Sequence, residues 1–151
     1  MKKKRSARLS VVMDLEDRKK KQADKFLADH IQRVENDKVQ LKQLEDYLAE
    51  YQAQYQETCK QGISIQSLTT YQAFMAKVGN VIDQHKNAMK YNVEQLAGVR
   101  QYWMKVYARR NAVGSLIGKI KADEQASDDK ALQKLIDEAS TLKAANNKNS
   151  L

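Results

Sequence analysis

The chain contains no proline, five glycines and one cysteine among its 151 residues. Proline makes up about 5% of average proteins and fixes the backbone in turns, so its absence argues against turn-rich sandwiches and barrels. A single cysteine excludes an internal disulfide bond and suits a reducing compartment. No apolar run approaches the roughly 18 residues that a membrane-spanning helix needs. Together these absences favour long, uninterrupted helices in a cytoplasmic protein.

Charged residues are abundant, at 30% of the chain against 42% hydrophobic residues. This balance is lean for a globular core but ordinary for a coiled coil, which buries only one seam. Of the net charge of +8, residues 1–21 contribute +6, from nine basic and three acidic side chains. This basic end is either a solvated helix face or an electrostatic handle for an acidic partner or a nucleic acid.

Apolar residues recur every seven positions in both halves of the chain. The first half holds the series Leu27, Val34, Leu41, Leu48, Tyr55 and Ala23, His30, Asp37, Leu44, Tyr51. In the second half one series runs from Leu68 to Ile117 and its companion from Tyr71 to Ile120. These are the a and d positions of a heptad repeat, whose period of 3.5 predicts left-handed winding.

The heptads divide around a segment that contains Gly62, where Ser64 or Ser67 can cap a following helix. We therefore predict an all-α fold, a long antiparallel two-helix coiled-coil hairpin. Its competitor is one continuous helix in a parallel dimer. The predicted boundaries are a disordered basic N-terminus at 1–7, a coiled-coil hairpin at 8–143 and a disordered tail at 144–151. Within the hairpin they are helix one at about 8–58, a turn at 59–65, helix two at about 66–123 and a short C-terminal helix at about 128–143, which could instead extend helix two.

Facing residues in an antiparallel pair have numbers with a constant sum, which makes the register predictable. A sum of 126 places Tyr55 against Tyr71, small Ala23 against large Trp103, and Glu16 against Arg110. A sum of 133 would instead bring Arg110 against Ala23, so we prefer 126. That register puts one polar residue in each of four successive central layers, which predicts a weak middle because unpaired buried polar groups are costly.

The sequence contains no catalytic constellation, phosphate-binding loop or Cys/His ligand spacing, so we expect no enzyme activity, no metal and no cofactor. Both histidines fall at d positions in layers that do not face each other. One face of the second helix is more informative. Phe74, Val78, Val81 and His85 follow one another at i, i+4, i+7 and i+11. An apolar stripe beside the seam suggests a partner-binding surface, although Phe74 could equally fold over the seam edge.

The chain resembles the FliJ family of the flagellar type III export apparatus. The residues that carry the resemblance are Leu44-Glu45-Asp46-Tyr47 with Tyr51, Gly62-Ile63-Ser64, Tyr71-Gln72-Ala73-Phe74, Ile82-Asp83-Gln84-His85, and Asp137-Glu138 after Leu135. The resemblance implies a two-helix coiled coil similar to the stalk subunit of rotary ATPases. It also implies a cytoplasmic protein, peripherally associated with the inner-membrane export machinery through its partners.

The partners implied by the resemblance are the FliI hexamer (the export ATPase), the cytoplasmic region of the export gate FlhA, and export chaperones. The family's gate-binding stripe maps onto Phe74, Val78, Val81 and His85. The ATPase-binding end, by analogy, contains both termini, with Arg8, Arg18 and Arg110 as candidate contacts. Two alternatives stay open: a nucleic-acid-binding hairpin that uses the basic end, and the stalk protein of a virulence-type secretion system.

Overall fold

The computed structural model describes residues 4–150, which form two helices. Helix α1 comprises Arg5–Gln61 and helix α2 comprises Ile65–Asn149. The two helices pack against each other, and no strand occurs within residues 4–150. The predicted all-α helical hairpin is thereby confirmed. None of the helices described is apolar over a long enough stretch to cross a membrane.

The connection between the helices spans only three residues, inside the segment predicted to turn. Gly62 has a φ of 96°, in the left-handed region that glycine adopts without steric cost. Its amide donates to the Cys59 carbonyl at 3.3 Å, which closes the end of α1. Ser64 caps α2, since its hydroxyl accepts from the Ser67 amide at 3.1 Å. Local chemistry at both helix ends therefore fixes the turn.

The helices contribute to two compact units. One, the hairpin unit, comprises residues 21–105 and contains the connection. The other, the terminal unit, joins the chain up to residue 20 with the chain from residue 106 onward. Each unit is built around its own stretch of the heptad seam.

The core of the hairpin unit consists of the predicted a and d positions, all of which are buried or half-buried. The most buried apolar members are Ala23, Val34, Ile82, Leu96 and Val99. The contacts follow the register whose facing numbers add to about 126. The rings of Tyr55 and Tyr71 lie 5.6 Å apart, and the Trp103 indole donates to the Asp24 carboxylate at 2.6 Å. These pairs do not fit the alternative sum of 133.

The middle of the hairpin unit differs from the prediction of unpaired polar layers. The Asn92 amide donates to the Asp37 carboxylate at 2.7 Å. His85 donates through Nε2 to the backbone carbonyl of the same Asp37 at 2.8 Å. Both donors come from α2 layers next to the one that faces Asp37. Side chains that reach along the seam therefore satisfy the polar groups that a layer-by-layer count leaves unpaired.

The terminal unit has buried seam positions of its own. Val106, Ile117 and Ile120 are its buried apolar residues. The Met13 Cε methyl lies 3.4 Å from where a Cβ on Gly114 would stand, so α1 approaches α2 closely at this glycine. The seam positions of α1 here include two buried polar residues, Ser6 and Glu16. This part of the seam thus depends on polar contacts as well as on apolar packing.

The C-terminal boundaries are corrected by the structure. Helix α2 runs without interruption to Asn149, as in the alternative of an extended helix two, instead of ending near residue 123 and restarting near residue 128. Residues 144–149, predicted to be disordered, are helical, as are residues 5–7 at the other end. Residues 1–3 and 151 of the predicted disordered ends lie outside the described residues. The physical reason is that no glycine or proline follows Gly118, so the polar stretch before residue 130 has no helix breaker.

The Asp37 contacts generate a stability prediction. Replacing Asp37 with alanine leaves the half-buried Asn92 amide without its acceptor, so we expect a loss of about 1 kcal/mol in the free energy of unfolding. The double variant Asp37→Leu with Asn92→Leu replaces the pair by apolar seam residues and should recover that loss. Urea denaturation followed by circular dichroism measures both variants. Asp46→Ala, at an exposed position of the same helix, is the matched control. A single variant as stable as the parent would show that the hydrogen bond contributes nothing.

Candidate functional site

Five aromatic rings cluster where the hairpin unit approaches its connection. Tyr51 is the centre of the cluster: its ring centroid lies 4.5 Å from that of Phe74 and 5.2 Å from that of Tyr71. Tyr47 contacts Phe74 edge-on at 6.2 Å, and Tyr55 contacts Tyr71. Burial among these rings, reinforced by the neighbouring Tyr71 and Tyr47, raises the pKa of Tyr51. The cluster packs the seam and also anchors one edge of the predicted partner-binding stripe.

The four residues of the predicted gate-binding stripe differ in their availability. Val81 is the most open, with 47% of its surface exposed. Phe74 and Val78 are half-buried, and Phe74 folds over the seam edge onto Tyr51. Phe74 nevertheless helps to line a shallow surface depression of about 340 Å³ together with Thr70, Ala73 and Lys77. The stripe can therefore offer one open apolar residue beside a partly open aromatic edge.

His85, the fourth residue of the stripe, is half-buried and uses Nε2 in its bond to Asp37. The other histidine, His30, donates from Nδ1 to the Phe26 carbonyl at 3.0 Å. Within residues 4–150 no group of three or more His, Cys, Asp or Glu side chains is arranged to hold a metal ion. The two histidines serve the packing of the hairpin unit, with ring nitrogens bonded to backbone carbonyls.

Two ion pairs fasten α1 to α2 within the terminal unit. Arg110 donates to Asp17 at 2.9 Å, and Arg109 donates to Glu16 at 3.1 Å. The hydrogen bond that Arg110 donates to Asp17 raises the pKa of Arg110. The sequence predicted Glu16 opposite Arg110, so the partner was wrong by one residue. Arg109 lies beside the seam and reaches in, with 70% of its side chain still exposed, whereas Arg110 turns to the neighbouring Asp17.

Glu16 is the most deeply buried side chain among the described residues, at 1% exposure. Its Oε1 atom receives Arg109 and lies 3.7 Å from the Lys19 ammonium. Its Oε2 atom is buried and has no hydrogen-bond partner. A half-satisfied carboxylate in a seam costs stability, since desolvation is incompletely offset. Such a residue is better explained by selection of one register than by strength of packing.

A second group of contacts holds the beginning of α1. The Ser6 hydroxyl and amide donate to the two oxygens of Glu124, at 2.6 and 3.1 Å. These bonds lower the pKa of Glu124. Lys4 donates to Asp128 at 2.9 Å. The first turn of α1 is therefore tied to α2, while the arginines at 8 and 18, which the sequence singled out, are exposed.

Beyond Glu124, where Lys4 still reaches Asp128, no element among residues 4–150 covers helix α2. Every residue from 125 to 150 is exposed. Its large apolar side chains lie on one stripe, and about half or more of each is exposed. They are Leu132 (57%), Leu135 (62%), Ile136 (49%) and Leu142 (67%). Side-chain bonds one turn apart, such as Gln125 to Asp129 at 3.0 Å, support the helix locally. The amphipathic pattern was visible in the sequence, but its lack of a partner emerges only from the structure.

The fold defines a class of protein: an all-α coiled-coil hairpin, here with a stripe of exposed apolar side chains on α2. The family model described as "Flagellar FliJ protein" matches residues 5–149, nearly the whole chain. The chain therefore belongs to the FliJ family, whose members are non-catalytic components of flagellar export. No curated protein and no solved structure matches the chain significantly.

The burial of Glu16 beside Arg109 predicts that substitutions of the two residues change the free energy of unfolding in opposite directions. Glu16→Leu removes the poorly satisfied carboxylate and leaves the solvent-exposed Arg109 hydrated, so we expect stability to rise by about 1–2 kcal/mol. Arg109→Ala instead leaves Glu16 buried with a weaker partner, so stability should fall. Thermal and urea unfolding measure both variants, with Arg100→Ala, another exposed arginine of α2, as the control. A destabilised Glu16→Leu protein would show that the ion pair is a net source of stability.

Proposed function

We propose that this protein is the stalk and coupling component of the flagellar type III export apparatus. In this role it binds the ring of the export ATPase FliI and the cytoplasmic region of the export gate FlhA, and it escorts export chaperones. It works in the cytoplasm, peripherally associated with the inner membrane through these partners. It is not an enzyme, so any stimulation of ATP hydrolysis comes from its contact with the ring.

The observation that carries the proposal is the uncovered C-terminal part of α2. A helix of about 25 residues extends for about 37 Å, and one face of it carries four exposed, large apolar side chains. An isolated helix of this length gains little stability from its own hydrogen bonds, and packing of an apolar face usually provides the rest. A ring of ATPase subunits would supply that packing around a central helix. Family membership makes the export ATPase the fitting partner.

The three candidate arginines contribute unequally to such a contact. Arg110 is held by Asp17 inside the terminal unit, so its role is to fix α1 against α2. Arg8 and Arg18 are exposed on α1 and can reach acidic groups of a partner. We therefore assign the ATPase contact to the stripe that contains Leu132, Leu135 and Leu142, supported by Arg8 and Arg18.

The gate contact is assigned to the stripe Phe74, Val78, Val81 and His85. Val81 supplies the open apolar surface, and the edge of Phe74 borders the adjacent depression. Val78 and His85 are half-buried, and their role is to position the other two residues. His85 does so through its bond to Asp37.

The basic N-terminal end is also consistent with a rival function, which is nucleic-acid binding. Residues 1–21 carry most of the net positive charge, and a nucleic-acid-binding hairpin would use such an end. Binding to RNA that weakens steeply with salt, in a protein that does not bind the purified export ATPase, would favour the rival. Binding to the purified export ATPase without binding to RNA supports the stalk proposal.

The ATPase contact is tested with Leu135→Ser combined with Leu142→Ser. Both side chains are exposed, so helicity should persist, whereas loss of two apolar contacts should weaken binding to purified export ATPase by at least about tenfold. Val39→Ser with Val93→Ser, two exposed valines of the hairpin unit, is the matched control. ATPase binding that is unchanged in the leucine double variant would overturn this assignment.

The gate contact is tested with Val81→Ser beside Phe74→Ala. Both variants should reduce binding to the cytoplasmic region of the gate by about fivefold or more and should reduce motility, because each removes apolar contact area. Phe74→Ala also loses its packing on Tyr51 and should unfold about 1 kcal/mol more easily, whereas Val81→Ser should not. Gate binding retained by Val81→Ser, with only Phe74→Ala affected through its stability, would show that the stripe is part of the core.

A further inference from the structure

The first part of α1 has one face of unusual composition for a coiled coil. In the heptad frame that has Leu27 at a and Ala23 at d, the c, f and g positions between residues 4 and 20 contain only basic and apolar side chains. These eight residues are Lys4, Arg5, Arg8, Val11, Val12, Leu15, Arg18 and Lys19. The three acidic residues of the same stretch, Asp14, Glu16 and Asp17, occupy b, d and e positions. Acidic charge is thus absent from this face, which we call the outer basic face.

The apolar members of the outer basic face are open to solvent. Val11 is 69% exposed, Leu15 is 50% exposed and Val12 is 37% exposed. The outermost positions of a coiled coil are normally charged or polar, because they contribute nothing to the seam. Val11 and Leu15 stand at such positions, f and c, and Val12 lies beside them at the flanking g position. This exposed apolar group, surrounded by basic residues, therefore indicates a binding surface.

We propose that the outer basic face binds an anionic lipid surface directly. Valine and leucine side chains would enter the boundary between headgroups and acyl chains, while Arg5, Arg8 and Arg18 would contact lipid phosphates. Basic and apolar residues sharing one exposed face of a helix are the pattern of interfacial helices. The negative potential of the cytoplasmic leaflet complements the positive charge that Arg5, Arg8 and Arg18 carry on this face. The remaining basic residues, Lys4 and Lys19, lie in ion pairs with Asp128 and Glu16.

Two features favour lipid over other polyanions. The outer basic face has no aromatic side chain on which a nucleic-acid base could stack. Its apolar residues occupy the middle of the face, between basic ones. A purely ionic partner would leave these apolar side chains in contact with water, whereas a lipid surface would bury them. The inference goes beyond the proposed function, in which the protein reaches the membrane only through its partners. Since Arg8 and Arg18 are also assigned to the ATPase contact, lipid and ATPase would compete for them.

The test is co-sedimentation of the full chain with vesicles that contain about 25% phosphatidylglycerol in phosphatidylcholine. We expect binding to these vesicles, little binding to pure phosphatidylcholine, and weaker binding when salt rises from about 50 to about 300 mM. Val11→Ser with Leu15→Ser should reduce the bound fraction at least about fivefold with unchanged helicity. Val39→Ser with Val93→Ser, equally exposed valines elsewhere, should bind as the parent does.

Insertion is measured separately, with an environment-sensitive dye on Val11→Cys in a Cys59→Ser background. A blue shift on addition of the anionic vesicles supports the proposal. Equal binding to neutral and anionic vesicles would overturn it. Loss of affinity in Arg8→Gln with Arg18→Gln, without any effect of the Val11/Leu15 double variant, would also overturn it and show a general polyanion site. The Val11/Leu15 variant should still bind the export ATPase through Leu135 and Leu142, so failure of one proposal is distinguishable from failure of the other.

Discussion

The structure depends on one constraint, which is that each helix can bury only a single stripe of side chains. A two-helix coiled coil has no second layer, so every residue away from the seam faces water or a partner. Few side chains become deeply buried, and most a and d residues are only half-buried. Polar residues in the seam are therefore tolerable where donors and acceptors meet, as Asp37 and Asn92 do. The same constraint leaves the entire outer surface of the protein available for interactions.

Periodicity made the fold and the register predictable, because the same heptad frame recurs over many turns and gathers the buried apolar residues into one seam. The partners of individual polar side chains were less predictable. His85 and Asn92 reach one layer along the seam to Asp37, and Arg109 enters from a flanking position to meet Glu16. Long side chains choose among several partners within their reach, and heptad position alone does not specify which one they take.

The C-terminal part of α2 shows the opposite error. Residues 123–129 have an acidic, polar composition that resembles a linker, so a break in the helix was preferred there over an extension of helix two. Helix continuity, however, depends on the absence of breakers and on local side-chain pairs more than on hydrophobicity. The amphipathic stripe beyond residue 130 is predictable from its spacing, but its exposure emerges only from the structure. The residues of the proposed gate-binding stripe were singled out by their spacing and by the family resemblance, and the structure adds which of them are open.

The three-residue connection at Gly62 has a consequence for how the chain can assemble. Aromatic contacts beside the connection join residues close in sequence, whereas Ser6 and Glu124 are separated by 118 positions. Closing so large a loop in one step would cost only about 2 kcal/mol more than closing a short one, because the entropy of closure grows with the logarithm of loop length. The heptad seam lowers this entropic cost further. Once one layer of the seam has formed, only a few more residues must be ordered to form the next layer. The two helices can thus pair progressively from the turn at Gly62, and the contact between Ser6 and Glu124 forms last.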